Sequence, residues 1–165
     1  MRNKGYTIIE LIVVIFIIGI MLALSMPRFR YAVLTDNLTS TVRRFNGLVK
    51  GVRSEAIRKQ KAYVLCLDLE SNRLWVDSNS MNQEERQAAQ ERAFVLPDGV
   101  TVMDVWRREA GKQAHGEATI YFSKKGYIEH TVIHLGADDG RRFTLVLSPF
   151  LGTVKSYDKY VDIYE

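Results

Sequence analysis

Cysteine is almost missing from this chain. Cys66 stands alone among 165 residues, so no intramolecular disulfide can staple the fold. Its flanks, "YVLCLDL", alternate as a strand does, and a small buried hydrophobe is expected there rather than a reactive thiol. Proline is scarce, at three residues, and long repeats and low-complexity tracts are missing. No phosphate-binding glycine loop occurs, and no nucleophile motif surrounds Ser123, Ser148 or Cys66. His130 and His134 would share a face on a helix, but their surroundings alternate as a strand. There, at roughly 3.3 Å per residue, they lie about 13 Å apart, too far for one ion. Asp138 and Asp139 precede Gly140 in a turn pattern and fall short of the six to eight oxygens of a calcium site. The expectation is therefore a non-enzyme with no catalytic residue, no cofactor and no metal. The formal charge of +4 does not by itself indicate nucleic-acid binding.

Long hydrophobic runs are absent after residue 30, but one dominates the start. From Leu11 to Met26 no residue is charged. Tyr6 to Met26 could cross a hydrocarbon core about 30 Å thick as one helix. Arg2 and Lys4 precede it and favour a cytoplasmic N-terminus, a bias that Arg28 and Arg30 weaken. A secretory signal peptide, with Ala23-Leu24-Ser25 as its cleavage site, is one reading, although the apolar region exceeds the usual 7–15 residues. A plain signal anchor is another. Neither accounts for Glu10, since a charge near the middle of a membrane helix costs roughly 2.5–3.5 kcal/mol on insertion scales.

The segment "KGYTIIELIVVIFIIG" resembles the N-terminus of the type IV pilin and pseudopilin superfamily. The resemblance implies a leader, residues 1–5, removed by a prepilin peptidase between Gly5 and Tyr6. Tyr6 becomes the N-methylated first residue, where phenylalanine or methionine is more usual. Glu10 becomes the fifth residue of the mature chain, where the family places its glutamate, and Pro27 falls where the family commonly has a helix-kinking proline. In a filament of such subunits the Glu10 carboxylate faces the free amine of a neighbour's first residue. That pairing offsets the desolvation of both charges and sets the register of stacking. Loss of Arg2 and Lys4 takes the formal charge from +4 to +2.

Beyond Pro27, apolar residues Tyr31, Leu34, Leu38, Val42, Phe45, Val49, Val52 and Ala56 recur at steps of three and four. They form one stripe of an amphipathic helix over about 28–60 that packs on a sheet. Gly47 and Gly51 each cost roughly 1 kcal/mol in a helix interior, which close approach to a sheet would offset. From Lys61 the period becomes two. Tyr63 to Leu69 and "RLWVD" form a hairpin, and the polar residues 78–92 a surface excursion with a short helix. Pro97-Asp98-Gly99 is a turn before "VTVMDVW", residues 107–117 a loop, and "ATIYF", "YIEHTVIHL", "RFTLVLSP", "GTVKSY" and "YVDIYE" the remaining extended segments.

Within the superfamily the chain resembles the GspH/FimT group. Leu96-Pro97-Asp98-Gly99-Val100-Thr101-Val102, Ile120-Tyr121-Phe122 with Gly126, and Ile133-His134-Leu135 followed by Arg142, Leu145-Val146-Leu147 and Gly152-Thr153-Val154 carry that likeness. It implies an α+β fold, a long N-terminal helix packed on antiparallel sheets. Residues 6–27 are then a transmembrane and assembly helix, and 28–165 a periplasmic domain, β-rich over 61–165, tethered to the bacterial inner membrane and its lipid. The missing cystine favours a pseudopilin or minor pilin over a major pilin, and the expected role is that of a minor pseudopilin of a type II secretion system. Its implied partners are other pseudopilins, minor and major, with the prepilin peptidase as processing enzyme. The alternative is a minor type IV pilin of the FimT kind, acting in pilus assembly, adhesion or DNA uptake. Arg141, Arg142, Lys155 and Lys159 would serve DNA, but Asp138, Asp139, Asp158 and Asp162 nearly cancel them. Solvated hairpin ends are expected, and DNA is not an expected partner.

Overall fold

The computed structural model describes residues 8–150 and 152–162, and the side chains among these except for 22–36. A single helix, α1 (Ile8–Lys59), opens the chain. Its second half buries Leu38, Val42, Phe45, Val49, Val52 and Ala56, the stripe expected from the spacing. Burying a Leu, Val or Phe side chain contributes about 1.5–3 kcal/mol, so this stripe anchors the helix on the domain. Arg58 and Lys59 in the last turn both reach Glu55. Gln60 takes a positive φ of 52° while Lys61 N–H bonds the Ala56 carbonyl at 3.2 Å, and this left-handed cap ends the helix.

Two antiparallel sheets follow. One has the order β3 (Phe94–Val95), β2 (Arg73–Asp77), β1 (Tyr63–Asp68), β6 (Glu117–Phe122); the other runs β5 (Gly111–Gln113), β4 (Val100–Arg107), β7 (Thr131–Ala137), β8 (Arg142–Leu147), β9 (Val154–Tyr157). Alternation places Tyr63, Leu65 and Leu67 of β1 and Ile133 and Leu135 of β7 in one core with the α1 stripe. The helix touches strands of both sheets, β1, β6, β4, β7 and β9. Fold class, helix and hairpins thus agree with the sequence reading. A further tie comes from Asn72, in the β1–β2 turn with φ 51°. Its carbonyl accepts from Leu96 N–H at 3.0 Å, and its Oδ1 from Val102 N–H at 3.0 Å.

The polar stretch 78–92 contains α2 (Gln83–Glu91), started by a capping box in which Asn82 and Glu85 bond each other's backbone N–H. Four local expectations are corrected. Residues 107–117 are not all loop, since Gly111–Gln113 pairs with Val105–Arg107 as a hairpin. Tyr127–His130 lies outside β7, joined to the first sheet by an isolated Phe122–Ile128 bridge. After Tyr157 the chain leaves the strand conformation and crosses the second sheet by side-chain contacts. Gly47 and Gly51 do not approach a sheet, for a Cβ on either would meet nothing within 4 Å.

Candidate assembly surface

The first part of α1 differs from the second. From Ile8 to Met21 every side chain is exposed, Ile8 at 80%, Phe16 at 69% and Met21 at 66%. The apolar residues surround the helix rather than forming a stripe. An apolar patch of this extent marks a surface that another molecule or a lipid phase covers. Glu10 lies in the first turn of α1, between Ile9 and Leu11. Gly5 and Tyr6 lie outside the described residues. The helix backbone is continuous through Pro27, whose side chain, and with it the expected kink, falls outside them too. Among the described residues no helix is long and apolar enough to cross a membrane; the apolar run read from the sequence extends beyond Ile8–Met21 on both sides.

On the same helix, past the core stripe, Gly47, Leu48, Gly51, Val52, Tyr63 and Val76 border a cavity of about 410 Å³. The glycines keep it open, because neither carries a side chain to fill it.

A polar row crosses the second sheet on the face away from the core. Asp104, His134 and Thr144 are directly opposite one another in β4, β7 and β8, and all are buried, at 4%, 0% and 0% exposure. A register shift between Val102 and Asp104 aims Asp104 outward while Val102 and Val105 both face the core. His134 Nδ1 lies 2.6 Å from Asp104 Oδ1, and its Nε2 lies 3.1 Å from the Val161 carbonyl. The Tyr160 ring stacks on the imidazole at 3.9 Å, and its hydroxyl donates to Asp104 Oδ2 at 3.2 Å. Lys112 Nζ completes the group, 3.4 Å from Asp104 Oδ2. A His–Asp pair can act as a general base, but here the outer imidazole nitrogen is committed to the Val161 carbonyl.

His130 sits elsewhere, edge-on to Trp106 at 5.8 Å; burial, and then the Arg108 charge, hold its pKa below the ordinary histidine value. The two histidines therefore have separate partners. No group of three or more metal-ligating side chains occurs among the described residues. Asp138–Asp139 lies in the β7–β8 turn, where Asp139 accepts from Arg141 N–H at 3.0 Å and Arg141 Nε at 2.7 Å. One of the four basic residues weighed for DNA is thus paired within its own hairpin. Cys66 is buried, and burial first, then Glu117, push its thiol pKa up to about 12, which makes it inert at neutral pH.

Two features escaped the sequence reading. Asp104 carried no signal, because the register shift that turns it toward His134 leaves no mark in residue type. Arg53, off the apolar stripe, gave no sign of a partner, yet its Nε donates to the Gly126 carbonyl at 2.9 Å.

Residues 1–26 match the family model described as the prokaryotic N-terminal methylation motif. No curated protein matches the chain in sequence. Solved structures that share its fold include two of the minor pseudopilin EpsH from the type II secretion system of Vibrio cholerae. One is 12% identical with a TM-score of 0.50, covering 73% of this chain and 95% of that one. The other is 13% identical with a TM-score of 0.52, covering 78% and 98%.

Proposed function

We propose that this chain is a minor pseudopilin of a type II secretion system, anchored in the inner membrane by its N-terminal helix and assembling with other pseudopilins into a short periplasmic filament. The observation that carries the reading is one continuous helix with two unlike halves. Leu38, Val42, Phe45, Val49, Val52 and Ala56 are buried in the chain's own domain, while Ile8 to Met21 are exposed, apolar and interrupted only by Glu10. The methylation motif over that exposed half, and the fold shared with EpsH, support the same reading.

The mechanism is assembly rather than chemistry. The prepilin peptidase cuts after Gly5, and Tyr6 becomes a methylated amine. In the membrane the exposed half is covered by lipid. In the filament it is covered by the same segment of neighbouring subunits, and van der Waals packing replaces the lipid contacts. Glu10 and a neighbour's Tyr6 amine then supply opposite charges in a region of low dielectric, where an unpaired charge is strongly disfavoured. Subunits therefore add at the register that pairs them. The sheet domain stays outside the helical bundle, near the filament tip, and the growing filament moves folded proteins toward the outer-membrane channel.

Intact-mass measurement of the protein extracted from its native membrane tests the reading. The expected product lacks Met1–Gly5 and carries one added methyl group. A mature N-terminus close to Met26 would show ordinary signal-peptide removal and overturn the proposal.

A further inference from the structure

The sheet domain has two ends along the α1 axis, and the turns at the two ends carry opposite charge. At the C-terminal end of α1, Arg53 and Ile57 lie against Gly126, and Arg53 against Gly152. Arg108 borders one cavity there with Tyr127 and Phe150. The exposed charges of the turns gathered at this end are Lys61, Arg108, Lys124 and Lys125, against Glu109. At the opposite end, Asn37 Nδ2 lies 3.5 Å from the Asp98 carbonyl. Asp138 N–H bonds the Gly99 carbonyl, and Leu96 N–H the Asn72 carbonyl, both at 3.0 Å. The exposed charges of these three turns are Glu70, Asp98 and Asp138, while Arg141 is taken by Asp139.

Each end also carries half of an apolar contact. Beside the cationic turns Phe150 is 82% exposed, more than Ile8 at 80% in the first half of α1. Tyr127 stands edge-on to it at 5.5 Å, and Ile128 N–H bonds the Pro149 carbonyl at 3.2 Å, which fixes the base of this knob. At the acidic end a hollow of about 210 Å³ opens between α1 and β3, lined by Ser40, Thr41, Arg44, Phe94, Val95 and Pro97. Arg44 lies over the Phe94 ring at 4.3 Å. A guanidinium is attracted to the face of an aromatic ring, so the hollow suits a phenyl group better than an aliphatic one.

We propose that Phe150 of one copy seats in the hollow at Phe94, Val95 and Pro97 of a second copy of this chain, with the cationic turns of the first facing the acidic turns of the second. The contact joins opposite ends, so each copy keeps a free knob at one end and a free hollow at the other. Copies therefore add in a row without closing. The contact rests on the proposed assembly for its direction. Parallel α1 helices in one bundle bring the C-terminal end of one domain toward the Asn37 end of a copy further along.

The test uses the full chain in detergent as two differently tagged populations. One carries Ala110→Cys beside the knob, the other Ser40→Cys beside the hollow. Both positions are exposed, and the native Cys66 is buried and inert. A short bis-maleimide should join the two populations about tenfold more than it joins either to itself. Phe150→Ala should lower the mixed product about tenfold, as for a central aromatic anchor, when placed in the Ala110→Cys population. In the Ser40→Cys population the same change should have no effect. Val95→Arg, which fills the hollow, should show the reverse dependence. Phe150 and Val95 are both more than half exposed, so neither change disturbs the core. Equal product within and between populations overturns the proposal, and so does a loss that ignores which copy carries the change. Intact mass of the native protein reports separately on the assembly reading. Loss of Met1–Gly5 without mixed product leaves that reading standing and removes this contact.

Discussion

Arg53 Nε donates to the Gly126 carbonyl at 2.9 Å, joining the C-terminal end of α1 to the turn that follows β6. Gly126 has φ +82°, and a Cβ there would lie 2.6 Å from Ile57 Cδ1. Gly152, with φ +59°, presses against the same Arg53 side chain. Two glycines distant in sequence thus let two turns close over one arginine. Gly126→Ala should destabilise the protein by about 1–2 kcal/mol from the left-handed backbone alone, with Ile57 also forced to shift. Thermal denaturation should show Tm lowered by several degrees.

Gly47 provides the opposite case. It lies inside α1, and a Cβ there meets nothing within 4 Å. Gly47→Ala should stabilise the folded domain by about 0.5–1 kcal/mol, because alanine loses less backbone freedom in a helix. A urea midpoint that falls would show that the open groove beside it needs the missing side chain for folding.

These glycines indicate what the sequence discloses and what it withholds. Periodicity exposed the α1 stripe and the strands β1, β4, β6 and β8, because burial imposes a spacing on apolar residues. Glu10 stands out as a candidate because a lone charge in an apolar run conflicts with bilayer energetics. Gly126 was visible only as a turn residue; that it faces Ile57 and Arg53 depends on which helix turn lies beneath it. The row Asp104–His134–Thr144 was hidden for a related reason. Cross-strand neighbours are set by register, and a one-residue shift beside Asp104 reverses the face of everything before it. The segment after Tyr157, with "YVDIYE", reads from the sequence as a further extended stretch. Bonds from sheet side chains to its backbone decide its path instead, and they leave no periodic trace.

Two turn carboxylates make stability depend on acid. Asp68 accepts from Ser71 Oγ and from the N–H groups of Glu70 and Ser71, and the Ser71 side-chain bond chiefly lowers its pKa. Asp139 is lowered chiefly by the Arg141 backbone N–H. A carboxylate whose folded pKa is depressed stabilises the fold above its unfolded value, near pH 4, and that contribution disappears as pH falls through the folded value. Asp68→Asn should therefore lower the urea midpoint at pH 7, and the gap from wild type should close as the pH is taken below about 4. A gap unchanged down to pH 2 would mean that the charge of Asp68 contributes nothing.

The sharpest test returns to Glu10, exposed between Ile9 and Leu11 in the first turn of α1. If the carboxylate is merely tolerated in a membrane, Glu10→Leu removes an insertion penalty of roughly 2.5–3.5 kcal/mol and leaves function intact or improved. If it pairs with a neighbouring subunit's Tyr6 amine, as the proposed assembly requires, the same change leaves that ammonium buried without a partner. Breaking one side of a buried pair costs about 3–5 kcal/mol, which weakens incorporation by roughly two to three powers of ten. The two cases predict opposite signs. The variant should insert, lose Met1–Gly5 and accumulate to the wild-type level in the membrane, because neither cleavage nor folding of the sheet domain uses the carboxylate. Cross-linking to neighbouring pseudopilins, and secretion measured in the same strain, should fall together. Normal cross-linking and secretion by a stable, processed Glu10→Leu protein would remove the register mechanism and leave the exposed half of α1 as an anchor alone.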